Sequence, residues 1–72
     1  MAFSRVYAEV AKKLLEKGSL RAEDVAELEE LYGYDARDAI DALVAAGAAR
    51  RVGSRIEAAD VDRLKRIAKM RA

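Results

Sequence analysis

Apolar residues recur with a helical period in four stretches of this chain. Phe3, Tyr7, Val10 and Leu14 follow one another at spacings of three and four, and Val6, Ala11 and Leu15 widen the stripe. Ser4 is placed to cap this first helix and Gly18 to end it, with Lys17 in the last turn, where the helix dipole favours a cation. Leu20 then falls in a short extended link. A second helix is expected over about 22–31, with Val25, Leu28 and Leu31 inward and Glu23 and Asp24 in its first turn. Its cap position falls at Ser19 or Arg21, and neither gives a clean capping box. Tyr32-Gly33-Tyr34 reads as a turn, and Asp35 as the cap of a third helix. Ala36, Ala39, Ile40 and Leu43 form the inner face of that helix, Val44 lies at its margin, and Gly47 stops it.

After Gly47 the period changes. Residues 48–52 and 55–58 flank Gly53-Ser54, and a two-residue turn with Gly first suits a type II′ hairpin. In that register Arg50 faces Glu57 across the pair. Asp60 or Ala59 opens a last helix with Val61, Leu64, Ile67 and Ala68 inward. The expected architecture is mainly α with a small β-hairpin, built as one domain over residues 1–72. Its parts are a helix pair at about 22–46, a hairpin at about 48–58 and a C-terminal helix at about 60–70.

Composition narrows the chemistry. The 72 residues hold no Cys, His, Asn, Gln, Thr, Pro or Trp. A chain this short has only just enough core to fold alone, and it has no thiols for disulfides to reinforce that core. Without Cys or His there is no transition-metal site to expect, and no run has the alternating carboxylates of a calcium loop. There is no nucleophile motif and no phosphate-binding Gly loop, so the chain reads as non-enzymatic, with no catalytic residues, metal or cofactor. Loss of the thermolabile Asn, Gln and Cys beside abundant Arg, Lys and Glu suits a thermophilic source. A GC-rich genome, or a designed or reduced alphabet, explains the Ala and Arg richness equally well. Apolar runs are only a few residues long and Arg5 is followed by no continuous apolar stretch, so neither a membrane span nor a signal peptide is expected, and the expected location is the cytoplasm.

The run AIDALVAAGAARRVGSRIE, with the two helices before it, resembles the winged helix-turn-helix superfamily: recognition helix, helix-ending Gly, Arg-bearing strand, tight turn, return strand. The resemblance extends over most of the chain and implies four helices plus one wing. It also implies that the link at Leu20 adds a third strand beside the wing. The third helix would then be the recognition helix, lying in a DNA major groove with its N-terminal residues at base edges. Its outward positions are Arg37, Asp38, Asp41, Ala42 and Ala45, and among these Arg37 alone can read guanine bidentately.

The distribution of charge moves the expected contact surface elsewhere. Residues 1–21 carry five basic and two acidic groups, a net +3; residues 22–47 carry one and eight, a net −7; residues 48–72 carry eight and three, a net +5. Inserting the third helix into a groove would set several carboxylates against phosphate. The basic set lies on the wing, at Arg50, Arg51 and Arg55, and on the last helix, at Arg63, Arg66 and Lys69, with Lys65 and Arg71 nearby. With Arg37, these are the candidate nucleic-acid contacts, suited to salt-sensitive binding along a phosphate backbone with little sequence preference. The expected role is a small transcription- or chromatin-associated factor acting on DNA, with RNA as a second candidate. Solvated cations on a surface helix are the plainer account of the same residues.

An adaptor role is the alternative. Glu27, Glu30, Asp38 and Asp41 would then dock on a basic partner protein in a polymerase, ribosome or similar assembly. Tyr32 and Tyr34 either stack on bases or cover the core edge. Phe3, Tyr7 and Val10 form either part of the chain's own core or a stripe shared with a second copy in a homodimer.

Overall fold

The computed structural model describes residues 3–70. Among them the chain forms four helices, α1 (Phe3–Lys17), α2 (Ala22–Tyr32), α3 (Tyr34–Ala45) and α4 (Val61–Ala68). Three short strands, β1 (Ser19–Leu20), β2 (Ala49–Val52) and β3 (Arg55–Ala58), make an antiparallel sheet in the order β1-β3-β2. The extended link at Leu20 is therefore a strand, paired Ser19 to Glu57 and Leu20 to Ile56.

α1 is the axis of packing. α3 and α4 both lie against it, and the sheet meets it through β1 and β3. Because α1 is covered on two sides, its buried set is Val6, Ala8, Val10, Ala11 and Leu14. The stripe expected through Phe3 and Tyr7 is thus rotated: Phe3 is exposed and stacks on half-buried Tyr7 at the margin, ring centroids 5.9 Å apart. Val10 is fully buried in the chain's own core, so it forms no part of an exposed stripe. Ser4 lies within α1 rather than ahead of it. Ala36 and Ala39 are fully buried on α3, where the absence of a longer side chain lets α3 approach α1 closely. Ile40 and Leu43 complete the face read from the sequence, with Val44 half-buried beside them.

The helix pair turns on one residue. Gly33 alone separates α2 from α3, at φ 66° and ψ −142°. That region is open essentially to glycine. α3 begins at once, so Gly33 and not Asp35 holds the cap position, and Asp35 lies in the first turn with its charge toward the helix dipole. The quick reversal also rotates α2. Its inward stripe is Asp24, Leu28 and Tyr32 at spacings of four, with Val25 at the edge; Tyr32 takes the place expected for Leu31, which is 65% exposed.

Asp24 is the one buried charged residue among those described, 7% exposed. Its carboxylate accepts from Lys17 Nζ at 2.6 Å and from the Arg21 backbone N–H at 3.0 Å. Arginine has no acceptor, so this is the reciprocal half of a capping box, formed without a capping side chain at Arg21. The Lys17 ammonium, then the Arg21 amide, hold the Asp24 carboxyl below its ordinary value of 3.8, against the opposing effect of burial.

The other end of α3 is closed by the Ala48 N–H donating to Leu43 O and the Gly47 N–H to Val44 O, the double bond pattern of a Schellman stop. The β2–β3 register is the one read from the sequence, Arg50 opposite Glu57 and Val52 opposite Arg55. Gly53 takes φ 61° and Ser54 a negative φ, which excludes a I′ turn and fits II′. At the base of the hairpin the Ala48 carbonyl accepts from both Ala59 and Asp60 N–H, fixing where α4 starts. Asp60 caps α4 by accepting from the Arg63 N–H at 3.1 Å. Leu64 and Ile67 are buried and Ala68 packs against the core, whereas Val61, in the first turn, is half exposed.

Two outcomes follow from these features. Gly33→Ala meets open space at Cβ, so its cost is backbone strain alone, about 1–3 kcal/mol. That is a large share of the roughly 4–11 kcal/mol available to a chain of this size, and urea unfolding will show it as a lower midpoint at unchanged m-value. Because the folded pKa of Asp24 is lowered, its stabilisation is complete above the unfolded value and is lost as pH falls through the folded one. Asp24→Asn will melt lower than the parent near neutrality, and its melting temperature will fall less between about pH 5 and pH 2. Parallel acid limbs for the two chains would contradict this.

Candidate nucleic-acid interface

Strand alternation divides the hairpin arginines between two faces. Residues directly opposite in an antiparallel pair point the same way, so the register puts Arg50, Val52, Arg55 and Glu57 on one face and Ala49, Arg51, Ile56 and Ala58 on the other. The second face is the core face, since Ala49 and Ile56 are buried. Arg51 therefore leaves the hairpin on the side of α3, where its guanidinium donates to the Asp41 carboxylate. The hairpin does not present three arginines together.

On the outer face Arg50 and Arg55 share a single carboxylate. Their Nη2 atoms lie 3.6 Å and 3.3 Å from the two oxygens of Glu57, and both side chains remain about half exposed or more. Two cations on one anion leave this face with a net positive charge. In the helix pair, Arg37 reaches back across the turn to Glu29 of α2, Nε at 3.1 Å and Nη2 at 2.9 Å from the same oxygen.

Arg63 has a structural task. Its Nη1 donates to Ala46 O at 2.6 Å, satisfying a carbonyl at the end of α3, while its Nε lies 3.7 Å from Asp60. Further along α4, Lys65, Arg66 and Lys69 are exposed and form no ion pair among the described residues. Arg71 lies outside the described residues.

Of the seven cations singled out in the sequence, then, five are engaged with carboxylates or a carbonyl, and two, Arg66 and Lys69, have no such partner among the described residues. The partners were invisible to local spacing. Arg37 and Glu29 are eight residues apart and Arg51 and Asp41 ten, so both pairs are tertiary contacts, across the turn and from hairpin to helix. Lys65, a neighbour of the basic row in sequence, belongs with Arg66 and Lys69 by exposure.

Between α2, α3 and the hairpin lies a half-open groove of about 300 Å³. Ala22, Val25, Ile40 and Ile56 line it, together with the Glu29–Arg37 and Asp41–Arg51 pairs and Ser54. The acidic residues are also divided. Asp41 is committed to Arg51, whereas Glu27, Glu30 and Asp38 are exposed with no ion pair among the described residues. Near these three, Leu31 and Tyr34 are exposed, Tyr34 at 84%, while Tyr32 packs on the core. Among the described residues no group of three or more carboxylates is placed to hold a metal ion, and no helix is long and apolar enough to cross a membrane.

Comparison with protein-family models, with curated proteins and with solved structures found no match to this chain.

The engaged and unengaged arginines of α4 separate in a stability measurement. Arg63→Ala loses the bond to Ala46 and will lower unfolding free energy by about 1 kcal/mol. Arg66→Ala, one turn on, will leave it unchanged within error. Equal losses for the two variants would remove the distinction between them.

Proposed function

We propose that this chain is a non-catalytic winged helix-turn-helix domain that binds nucleic acid by its phosphates, with DNA as the principal target. The strand order β1-β3-β2, with a II′ hairpin after the second helix of the pair, supports the winged reading. The observation that carries the binding surface is the uneven pairing of cations. Lys65 and Arg66 of α4 and Lys69 at its C-cap are exposed without ion pairs among the described residues, and Arg50 and Arg55 share Glu57. Exposed ion pairs are worth about 0–1 kcal/mol, and two guanidiniums on one carboxylate leave the outer hairpin face with a surplus positive charge for a phosphate.

The same pairing argues against the third helix as a base reader. Arg37 is held by Glu29, and Asp38 and Asp41 stand where phosphate would approach. Binding through the hairpin and α4 is sequence-tolerant, because phosphate contacts position a protein without reading bases. A role in packaging or broad transcriptional control fits this chemistry better than recognition of one operator.

A second reading rests on a different surface. Leu31 and Tyr34 are exposed beside Glu27, Glu30 and Asp38, an apolar anchor in an acidic surround, which suits a basic protein segment. Under that adaptor reading, Leu31→Ser with Asp38→Lys abolishes partner binding and leaves duplex affinity equal or higher.

The leading reading is tested by fluorescence anisotropy with a random-sequence duplex across a salt series. Five phosphate contacts give a slope of log K against log salt of about −4.5. Replacing Arg66 and Lys69 by Glu will abolish measurable binding at moderate salt. Arg51→Glu will have the smaller effect, since Asp41 already neutralises that guanidinium. Affinity unchanged in the Arg66 and Lys69 variant would overturn the assignment.

A further inference from the structure

The groove between α2, α3 and the hairpin carries two guanidiniums that the phosphate surface just described does not use. Arg37 and Arg51 both line it, together with Ser54 of the hairpin turn. Both arginines remain largely in solvent, 66% and 52% exposed, so neither is there to be buried. Each is nonetheless occupied. Two nitrogens of Arg37 converge on one oxygen of Glu29, and Arg51 donates to Asp41. A carboxylate offers a guanidinium the same planar pair of anionic oxygens that a phosphate does.

We propose that this groove is a second phosphate site for the nucleic-acid backbone, closed in the free protein because Glu29 and Asp41 occupy its arginines as internal substitutes for phosphate. The inference rests on the nucleic-acid reading above and adds a site to it. The two carboxylates act by local charge. When a strand approaches the groove, releasing Arg37 and Arg51 exposes Glu29 and Asp41 to the incoming phosphates, and that repulsion offsets the gain. Removing the negative charge while keeping the shape of the side chain opens the site. Nothing else in the groove resists a backbone: Ala22, Val25, Ile40 and Ile56 are apolar and uncharged.

The arrangement also accounts for the two faces of the hairpin. Arg50 and Arg55 point away from α3 and remain available, whereas Arg51, on the core-facing side, is silenced by its neighbour. The basal affinity thus comes from the outer hairpin face and α4, and the groove sets how much further it can rise.

The test uses the full chain and a random-sequence duplex, with Glu29→Gln, Asp41→Asn, their combination, and Glu27→Gln. Glu27 changes the net charge by the same amount on the same helix but pairs with no arginine among the described residues. Each neutralised carboxylate frees one guanidinium for one more phosphate, which steepens the salt slope by about 0.9 and tightens binding by up to about eightfold near 0.1 M salt. The double variant will show both increments, and Glu27→Gln will show neither. Circular dichroism melts confirm that each variant is folded. If the parent chain binds in a salt-dependent way and Glu29→Gln and Asp41→Asn bind no more tightly than Glu27→Gln, the groove is no phosphate site, while the outer-face reading survives. Weaker binding in Asp41→Asn would mean that Asp41 positions Arg51 for contact, which also overturns the proposal. Absence of duplex binding by every chain, even at low salt, would instead remove the nucleic-acid reading on which the groove depends.

Discussion

Burial of Val6, Val10, Ala11 and Leu14 along α1 is the constraint on which the rest of the molecule depends. A chain of this length has no disulfide, and the residues described hold no metal cluster, to supplement its core. One helix therefore has to serve several neighbours. α3 covers one side of α1 with alanines that permit close approach, α4 covers another with Leu64 and Ile67, and Leu20 and Ile56 bring the sheet against the same core. Because α1 is covered twice, its own aromatic residues are displaced to the margin. The remaining features of the fold tie α2, the hairpin and α4 to this centre: Asp24 to Lys17, the Ala48 carbonyl to the start of α4, Arg63 to the end of α3.

Charge is distributed unevenly around that centre. The strongly acidic helix pair and the basic C-terminal third are not simply opposed faces. They are stitched together by Arg51–Asp41 across the groove, while Arg37–Glu29 closes the helix pair on itself. Each pair is exposed and individually weak, so none is a major source of stability. Their effect is on which cations remain available. The stitching withdraws Arg37 and Arg51 and leaves the outer hairpin face and α4 with positive charge that carboxylates among the described residues do not match.

Much of the fold was legible because its signals are local. The inner face of α3, the Arg50–Glu57 register, the II′ turn at Gly53-Ser54 and the Asp60 cap each depend on residues within a few positions of one another. Asp35 failed as a cap because the turn before it is a single residue, a tightness that Tyr32-Gly33-Tyr34 alone does not specify. Leu31 and Tyr32 are both apolar neighbours, and only the direction of the chain at Gly33 decides which of them faces inward. Phe3 and Val61 extend periodic apolar stripes, but a stripe runs on past the surface that covers it. The cations of the site were legible as residues and not as a surface. Strand alternation already separates Arg51 from Arg50 and Arg55, yet the carboxylates that engage Arg37 and Arg51 come from elsewhere in the fold.

The central claim is that phosphate is met by the hairpin's outer face and α4, with the third helix standing off. The most direct measurement is an NMR titration of the isotopically labelled chain with a random-sequence duplex, following backbone amides residue by residue. The account predicts the largest shifts at Arg50 to Arg55 and at Arg63 to Lys69, with small changes at Tyr34 to Asp38 and along α2. Dominant shifts at the start of α3, with the hairpin and α4 little affected, would contradict it.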